Sequence, residues 1–397
     1  MKVLDEIATK VARTKMITDC KLQITDKNKY SLRLCGENYI ILLIFFLLLF
    51  AGNALAFQPL RSDNSAKVHW ESGPVTYVIN KSGAGACVAD PVATINSAFS
   101  VWDSVSTMIL EVNYGGESSS TNFCGMDNEG TGCNSTNLIV FSSTNFPAGV
   151  LAMTVNYYRI ADGEIAGTDI AFNKGGFNWS DDPISHSNPA CRGTDFYSLP
   201  AVAIHEIGHF YGLDHSFCSD VGATFTPGIA ATMYPYYFDA DWPEQLTLEQ
   251  DDIAGVTWMY PDPALSGWGK IKGTVKYNNG VSMFGVQVTA IRASDKVPIV
   301  TTFTKGGKYL LYGLPPDDYY VYTNTPRCQG SIFTAFVSNY WRGPDRVPYI
   351  LLYKQLKVRK LSSLVPDGAP FTKSGVKVIT VVADTTRGNV NFTYPTP

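Results

Sequence analysis

The sequence predicts an α+β fold, in which a region of mixed helices and strands precedes a smaller all-β region. Two patterns lead to this prediction: strands and helices alternate from Val75 onward, and helical periodicity ends after Pro263. The composition is that of a globular chain, since 45% of the 397 residues are hydrophobic and 17% are charged. We therefore expect an N-terminal segment at 1–56, a main region at 57–262 and an accessory region at 263–397.

Three helices are predicted in the main region, each from the residues of its first turn. Asp90 precedes a proline, which suits an N-cap followed by the first helical position. Ser198 is the expected N-cap of a second helix, and Thr247 to Gln250 form a capping-box pattern for a third helix that runs towards Tyr260. The predicted strands of this region are VTYVIN, MILEV, LIVFS, VLAMTVNYY and IAGTDIAF.

The accessory region consists of short β-type runs separated by turn residues. This spacing predicts a small β-sandwich, to which residues 384–397 add a last strand. The runs are IKGTVKY, GVQVTAI, VPIVTTF, KYLLYGL and YYVYTN.

An apolar run from Ile40 to Phe50 predicts export of the chain. It is followed by Ala54-Leu-Ala56, the small-x-small pattern of a signal-peptidase site. The run is shorter than the roughly 20 residues that span a bilayer. We expect a cleaved signal peptide and a secreted protein. The alternative is an uncleaved segment, 40–56, that anchors the chain in a membrane with the rest outside the cytoplasm.

Six cysteines follow the apolar run, and an even number in an exported chain predicts disulfides. We expect Cys124 to pair with Cys133, across a Gly/Asn/Ser-rich loop, and Cys191 to pair with Cys218. The formal net charge of −4 and the lack of a basic block argue against a nucleic-acid partner.

The segment HEIGHFYGLDH contains three of the five histidines of the chain. On a helix, His205 and His209 lie on the same face, because they are four residues apart. Gly212 allows the left-handed turn that ends a helix, so that His215 can return as a third nitrogen donor. Three imidazoles and an open fourth position are typical of a catalytic zinc site. Glu206, beside the first ligand, is placed to act as the general base.

The same segment resembles the HExxHxxGxxH signature of the metzincin metallopeptidases. Met233 is similar to the methionine that packs beneath the metal in this family. Pro235 and Tyr237 resemble the S1′ wall of the matrixins, and the resemblance extends over residues 67–261. It implies a twisted, mostly parallel sheet with three helices, and structural support of the site by Gly212 and Met233. Residues 271–323 resemble a carboxypeptidase-regulatory-like, transthyretin-like β-sandwich.

The resemblance implies a secreted zinc endopeptidase that hydrolyses peptide bonds by Glu206-assisted attack of a zinc-bound water. Its partners would be protein or peptide substrates, including those of the extracellular matrix, and the chain is expected to be a monomer. Two alternatives stay open. One is an extracellular binding or adhesion protein that uses the β-sandwich and has a non-catalytic zinc site. The other is a pappalysin-like metzincin.

We expect one catalytic zinc ion. A second, structural zinc is not expected, because only His69 and His186 remain to bind it. Calcium is the other ion considered, since several aspartates offer hard oxygen donors, although a solvated acidic loop is favoured. These aspartates are Asp162, Asp169, Asp181 and Asp182.

Overall fold

The structure is a computed structural model that describes most of the chain from Phe57 onward. The described residues are 57, 59–62, 66–124, 135–144, 146–193, 195–216, 220–221, 224–225, 231–234, 237, 243–283, 286–324 and 378–394. The predicted signal segment lies outside them. Within these ranges, no helix is long and apolar enough to cross a bilayer.

A five-stranded sheet forms the centre of the main region. Its spatial order is β2-β1-β3-β5-β4, and only β4, at one edge, runs antiparallel to its neighbour. The strands are β1 Val75–Asn80, β2 Val112–Glu117, β3 Asn137–Ser142, β4 Ala152–Tyr158 and β5 Ile165–Asn173. Together with the three helices below, this sheet confirms the predicted α+β class.

One predicted strand, MILEV at 108–112, is wrong. The strand begins only at Val112, and the preceding residues pair with the chain that leaves the last helix. Met108 forms an isolated bridge with Pro261, and the Ile109 amide donates to the Tyr260 carbonyl at 3.1 Å. The backbone groups that a strand would have used are therefore bonded elsewhere.

The described residues contain three α-helices, which lie where three were predicted. They are α1 Pro91–Asp103, α2 Leu199–Phe210 and α3 Gln250–Met259. Asp90 and Ser198 are the N-caps of α1 and α2, and each accepts from a first-turn amide. The predicted cap of α3 is wrong, because its N-cap is Glu249, which forms a capping box with Asp252. Helix α3 therefore begins after Glu249 and not at Thr247.

Helices α1 and α2 are joined by buried aromatic side chains. Tyr77 of β1 stacks on Phe99 of α1 with ring centroids 3.8 Å apart, and Phe99 meets Phe210 of α2 edge-on at 5.3 Å. The indole nitrogen of the fully buried Trp102 donates to the Ile204 carbonyl at 2.8 Å. A buried indole with its donor satisfied costs little and packs a large area, so it fixes the separation of the two helices.

The accessory region forms two four-stranded sheets that share a continuous apolar core with α3. One sheet has the order β13-β10-β16, with β17 also paired to β10, and the other has the order β12-β11-β14-β15. The strands are β10 Gly269–Tyr277, β11 Gln287–Arg292, β12 Pro298–Phe303, β13 Lys308–Leu314, β14 Asp317–Asn324, β15 Ile379–Val381, β16 Thr386–Arg387 and β17 Phe392–Tyr394. Four further short strands of the main region are β6 Asn178–Ser180, β7 Phe196–Ser198, β8 Asp220–Val221 and β9 Thr224–Phe225.

The expected pair Cys191–Cys218 is wrong, because Cys191 is bonded to Cys87, with Cα atoms 5.4 Å apart. The segments that carry these cysteines are also joined by hydrogen bonds. The Asp181 amide donates to the Cys87 carbonyl at 3.1 Å, and the Ala89 amide donates to the Asp181 carboxylate at 2.8 Å. Cys124 is also disulfide-bonded, and its expected partner, Cys133, lies outside the described residues.

Peptide mapping tests this assignment. We expect a non-reduced protease digest to contain one peptide that joins Cys87 to Cys191. The bond spans 104 residues, so replacing both cysteines with serine should lower the free energy of unfolding by about 2–4 kcal/mol. A peptide that joins Cys191 to Cys218 would contradict the assignment.

Candidate metal centre

Helix α2 and the turn that follows it bring the three histidines together. His205 and His209 lie on α2, and the helix ends at Phe210. Gly212 has φ +83°, and a Cβ there would lie 2.3 Å from the Val68 carbonyl oxygen, so only glycine fits. The turn directs the chain back to His215. The ring centroids of the three imidazoles lie 4.8–5.3 Å apart.

Hydrogen bonds at Nδ1 fix the direction of two of the rings. Nδ1 of His205 lies 2.7 Å from the Thr232 carbonyl oxygen, and Nδ1 of His209 lies 2.7 Å from the Leu213 carbonyl oxygen. A carbonyl only accepts, so both Nδ1 atoms carry the proton and both Nε2 atoms carry a lone pair. The sequence therefore builds two imidazoles whose free nitrogens are acceptors.

The nitrogen spacing fits a shared metal ion. The three ligand atoms lie within 4.8 Å of one another, and the Nε2 atoms of His209 and His215 are 3.3 Å apart. Two nitrogens bound to one tetrahedral zinc at about 2.0–2.1 Å are themselves roughly 3.3 Å apart. Three neutral imidazole nitrogens at this spacing match the ligands that zinc takes in proteins, so this donor set suits zinc.

The protonation state of the histidines agrees with ligation. Burial lowers the pKa of His205 to about 4 and that of His209 to about 3. Burial, together with the neighbouring histidines, also sets the pKa of His215 well below its usual value. All three imidazoles are therefore neutral at pH 7, which is the form that binds metal.

Glu206 lies next to the first histidine with its carboxylate buried at the edge of the cleft. The Thr154 hydroxyl, from edge strand β4, donates to Oε2 of Glu206 at 2.6 Å. Burial raises the pKa of Glu206 to about 7, although the Thr154 hydrogen bond opposes the shift. A carboxyl that both gains and loses a proton near neutral pH is suited to general acid–base chemistry.

A buried aspartate on α3 supports the residues beneath the histidines. Asp252 accepts from the backbone amides of Thr232 at 2.8 Å and Met233 at 3.1 Å. Thr232 is the residue whose carbonyl orients His205. Met233 is 2% exposed and packs so closely on Gly208 of α2 that a Cβ there would lie 2.1 Å from its sulfur. Met233 thus lies directly under the helix of the histidines.

A cleft of about 570 Å³ opens beside the histidines. The cleft is lined by His205 and Glu206, together with Leu151, Ala152, Val202 and Tyr237. The Tyr237 hydroxyl accepts from the Ser198 amide at 3.0 Å, which fixes the ring as a wall of the cleft. Pro235, the other predicted wall residue, lies outside the described residues.

The acidic residues considered for calcium are bonded to the chain itself. Asp162 pairs with Arg159, and Asp169 accepts from the amides of Cys124 and Leu138. Asp181 and Asp182 accept from nearby amides, and Asp181 also pairs with His186. Within the described ranges, the three histidines form the only cluster of three or more His, Cys, Asp or Glu residues that could bind a metal.

Sequence reasoning missed three residues that support the site. They are Thr154, which bonds Glu206, Asn156, whose amide donates to the His209 carbonyl at 3.0 Å, and Asp252. No short motif marks the first two, because they reach α2 from a strand about 50 residues away. The DD pair at the start of α3 is visible in the sequence, but its contacts are not.

The part of the chain that contains the three histidines is similar to a known protein family. Residues 69–261 match the matrixin family, and this match covers just under half of the chain. The chain is also similar to matrix metalloproteinase-18 of Xenopus laevis, with 34% identity over 90 residues. That alignment covers 23% of this chain and 17% of the relative, so the chain spans less than a fifth of the length of the relative that it matches.

Replacement of Gly212 tests the turn that returns His215. We expect Gly212→Ala to lower the free energy of unfolding clearly more than Gly85→Ala does. Gly85 is a matched control, because it has φ +91° and no atom within 4 Å of the added Cβ. Alanine at position 85 costs only the roughly 1–2 kcal/mol of a left-handed backbone, whereas the methyl group of alanine at position 212 also collides with the Val68 carbonyl. Urea unfolding measures both, and equal losses would contradict the turn geometry.

Proposed function

We propose, from the match of residues 69–261 to the matrixin family, that this chain is a zinc-dependent endopeptidase. The observation that carries the proposal is that three converging imidazoles and the buried carboxylate of Glu206 lie beside the same cleft. A purely structural zinc site has no use for such a carboxylate, because it closes the metal with four protein ligands. The same observation argues against the binding-protein alternative.

His205, His209 and His215 would hold the ion through Nε2. Zinc, when bound, supplies Lewis acidity that polarises a carbonyl and lowers the pKa of water at the site to roughly 7. Glu206 takes the proton of the attacking water and gives it to the leaving amine nitrogen. The Thr154 hydroxyl keeps the carboxylate of Glu206 oriented during both transfers.

The cleft supports an extended protein substrate. Strand β4 lies at the edge of the sheet, and within the described strands it has a partner on one side only. An extended peptide can add to such an edge through main-chain hydrogen bonds. Tyr237 and Val202 would form the apolar wall of the S1′ pocket, which favours an apolar residue after the cleaved bond.

We place the active protein outside the cytoplasm, as a secreted monomer. The disulfide Cys87–Cys191 supports an oxidising compartment. Membrane attachment through 40–56 is the alternative if that segment is not cleaved. We also propose that residues 263–397 form a β-sandwich accessory domain similar to the carboxypeptidase-regulatory-like domains, with the peptidase domain at 57–262.

Replacement of Glu206 tests the chemistry separately from metal binding. Glu206→Gln keeps an oxygen that can accept from Thr154 but cannot take a proton. We expect it to retain zinc and to lose about 10²–10⁴-fold in the rate of casein cleavage. The matched control is Glu71→Gln, at an exposed glutamate.

Zinc content by elemental analysis and casein cleavage with and without a chelator provide the measurement. Cleavage by wild type should stop when the chelator removes zinc. Full activity of Glu206→Gln would contradict the proposed role of the carboxyl. A wild-type chain that binds zinc but cleaves none of several unfolded proteins would favour the binding-protein alternative.

A further inference from the structure

Asp251, at the start of α3, lies between the main and accessory regions. It is 1% exposed, and its carboxylate accepts from two neutral donors. One is the Ser216 hydroxyl at 2.5 Å, and the other is the Thr301 amide at 2.9 Å. Among the described residues, no cationic side chain forms an ion pair with Asp251. A buried carboxyl depends on its hydrogen bonds, so both donors matter for the local structure.

Thr301 connects the accessory region to the carboxylate of Asp251 through a hydrogen bond. It lies on β12, which has a strand partner on one side only among the described strands. An edge strand has a row of backbone groups without strand partners. The Thr301 amide donates to Asp251 at 2.9 Å, while the Thr301 hydroxyl bonds Thr289 on β11 at 2.8 Å. The edge of the accessory sheet is therefore joined to α3 by a specific hydrogen bond.

Ser216 connects the metal centre to the same carboxylate through a second hydrogen bond. It follows His215 directly in the chain, and it is 3% exposed. Its amide donates to the Met233 carbonyl at 2.8 Å, and its hydroxyl donates to Asp251. Within the part of the chain that the structure describes, no carbonyl oxygen bonds Nδ1 of His215, and this atom lies 4.0 Å from the nearer carboxylate oxygen of Asp214. The position of His215 therefore depends on its backbone neighbours.

Close packing surrounds this hydrogen-bonded chain of residues. The Gln250 side-chain amide donates to the Gly313 carbonyl at 3.0 Å. A Cβ on Gly313 would lie 2.6 Å from the Cβ of Ala254, so β13 touches α3 directly. The ring of Phe57 contacts both Trp258 of α3 and Tyr312 of β13, with centroids 5.4 Å and 6.5 Å away. The two regions are thus in direct contact at α3.

We propose that the accessory region positions the third metal ligand, through the path Thr301–Asp251–Ser216–His215. This inference rests on the proposed function, since it assigns a role toward the zinc of that site. Asp251 is a positioning residue in this proposal and touches neither metal nor substrate. Displacing the accessory region from α3 should therefore weaken metal binding, although none of the described accessory strands lines the cleft beside the histidines.

Two glycine variants of the accessory region separate this role from general stability. Gly313→Ala and Gly280→Ala both place alanine at a positive φ, of +75° and +86°. Only the Gly313 methyl collides with α3, because nothing lies within 4 Å of the Gly280 Cβ. We expect Gly313→Ala to weaken zinc binding about fivefold or more, the lower end of typical coupling between sites, and Gly280→Ala to leave it within about twofold.

The readouts are zinc affinity, by competition with a chelator, and the visible absorption spectrum of the cobalt-substituted full chain. The spectrum reports ligand geometry and needs no peptidase activity. Gly313→Ala should also change the cobalt spectrum. Unchanged zinc affinity and cobalt spectrum in folded Gly313→Ala would overturn the inference. A wild-type chain that binds zinc but does not cleave protein would overturn the proposed function, while the glycine comparison would still decide the inference.

Variants within the path provide a second, independent test. Ser216→Ala should weaken zinc binding, whereas Ser62→Ala, which removes another buried serine hydroxyl, should not. Asp251→Asn should retain most of the zinc affinity, because its oxygen accepts from Thr301 and its amide donates to Ser216, and Asp251→Ala should lose it. Equal zinc affinity of Asp251→Ala and wild type would overturn the inference even if Gly313→Ala does not fold.

Discussion

The hydrogen bonds from histidine Nδ1 to backbone carbonyls are the interactions on which the rest of the site depends. They fix the tautomer, and therefore turn the Nε2 lone pairs of His205 and His209 towards a common point. Each carbonyl is set by a separate part of the fold: Thr232 by the chain below α2, and Leu213 by the Gly212 turn. The arrangement of the histidines is thus a property of the tertiary structure as well as of the motif.

Two buried aspartates connect the segments around the histidines to helix α3 through hydrogen bonds. Asp252 accepts three amides, including that of Thr232, and Asp251 accepts from Ser216 and Thr301. Burial raises the pKa of Asp252 to about 7 and that of Asp251 well above its usual value. Such groups are costly to place in a core unless their hydrogen bonds are made. The first turn of α3 therefore serves as a platform that connects the residues beneath His205, the segment after His215 and the accessory sheet.

Local patterns in the sequence were sufficient for the α+β class, for most strands and for the caps of two helices. Asp90 and Ser198 could be predicted because an N-cap depends only on the residues of the first turn. The clustering of the three histidines could be predicted for a similar reason, since i,i+4 spacing on a helix and a glycine turn are both local.

Features that depend on distant segments could not be predicted. The carboxylate of Asp252 reaches the Glu249 amide and the Thr232 turn together, and so the start of α3 shifts from Thr247. The partner of Cys191 is 104 residues away, in a loop that only the folded sheet brings near. The hydrogen bond from Thr154 to Glu206 likewise depends on how β4 lies across α2. These are contacts of the fold, without a signature in neighbouring residues.

We propose that His205, His209 and His215 bind one zinc ion through three imidazole nitrogens. X-ray absorption fine structure at the zinc edge of the purified full chain tests this most directly. We expect three imidazole nitrogens and one oxygen at about 2.0–2.1 Å from the zinc. A sulfur neighbour at about 2.3 Å, or a first shell with fewer than three imidazoles, would contradict it.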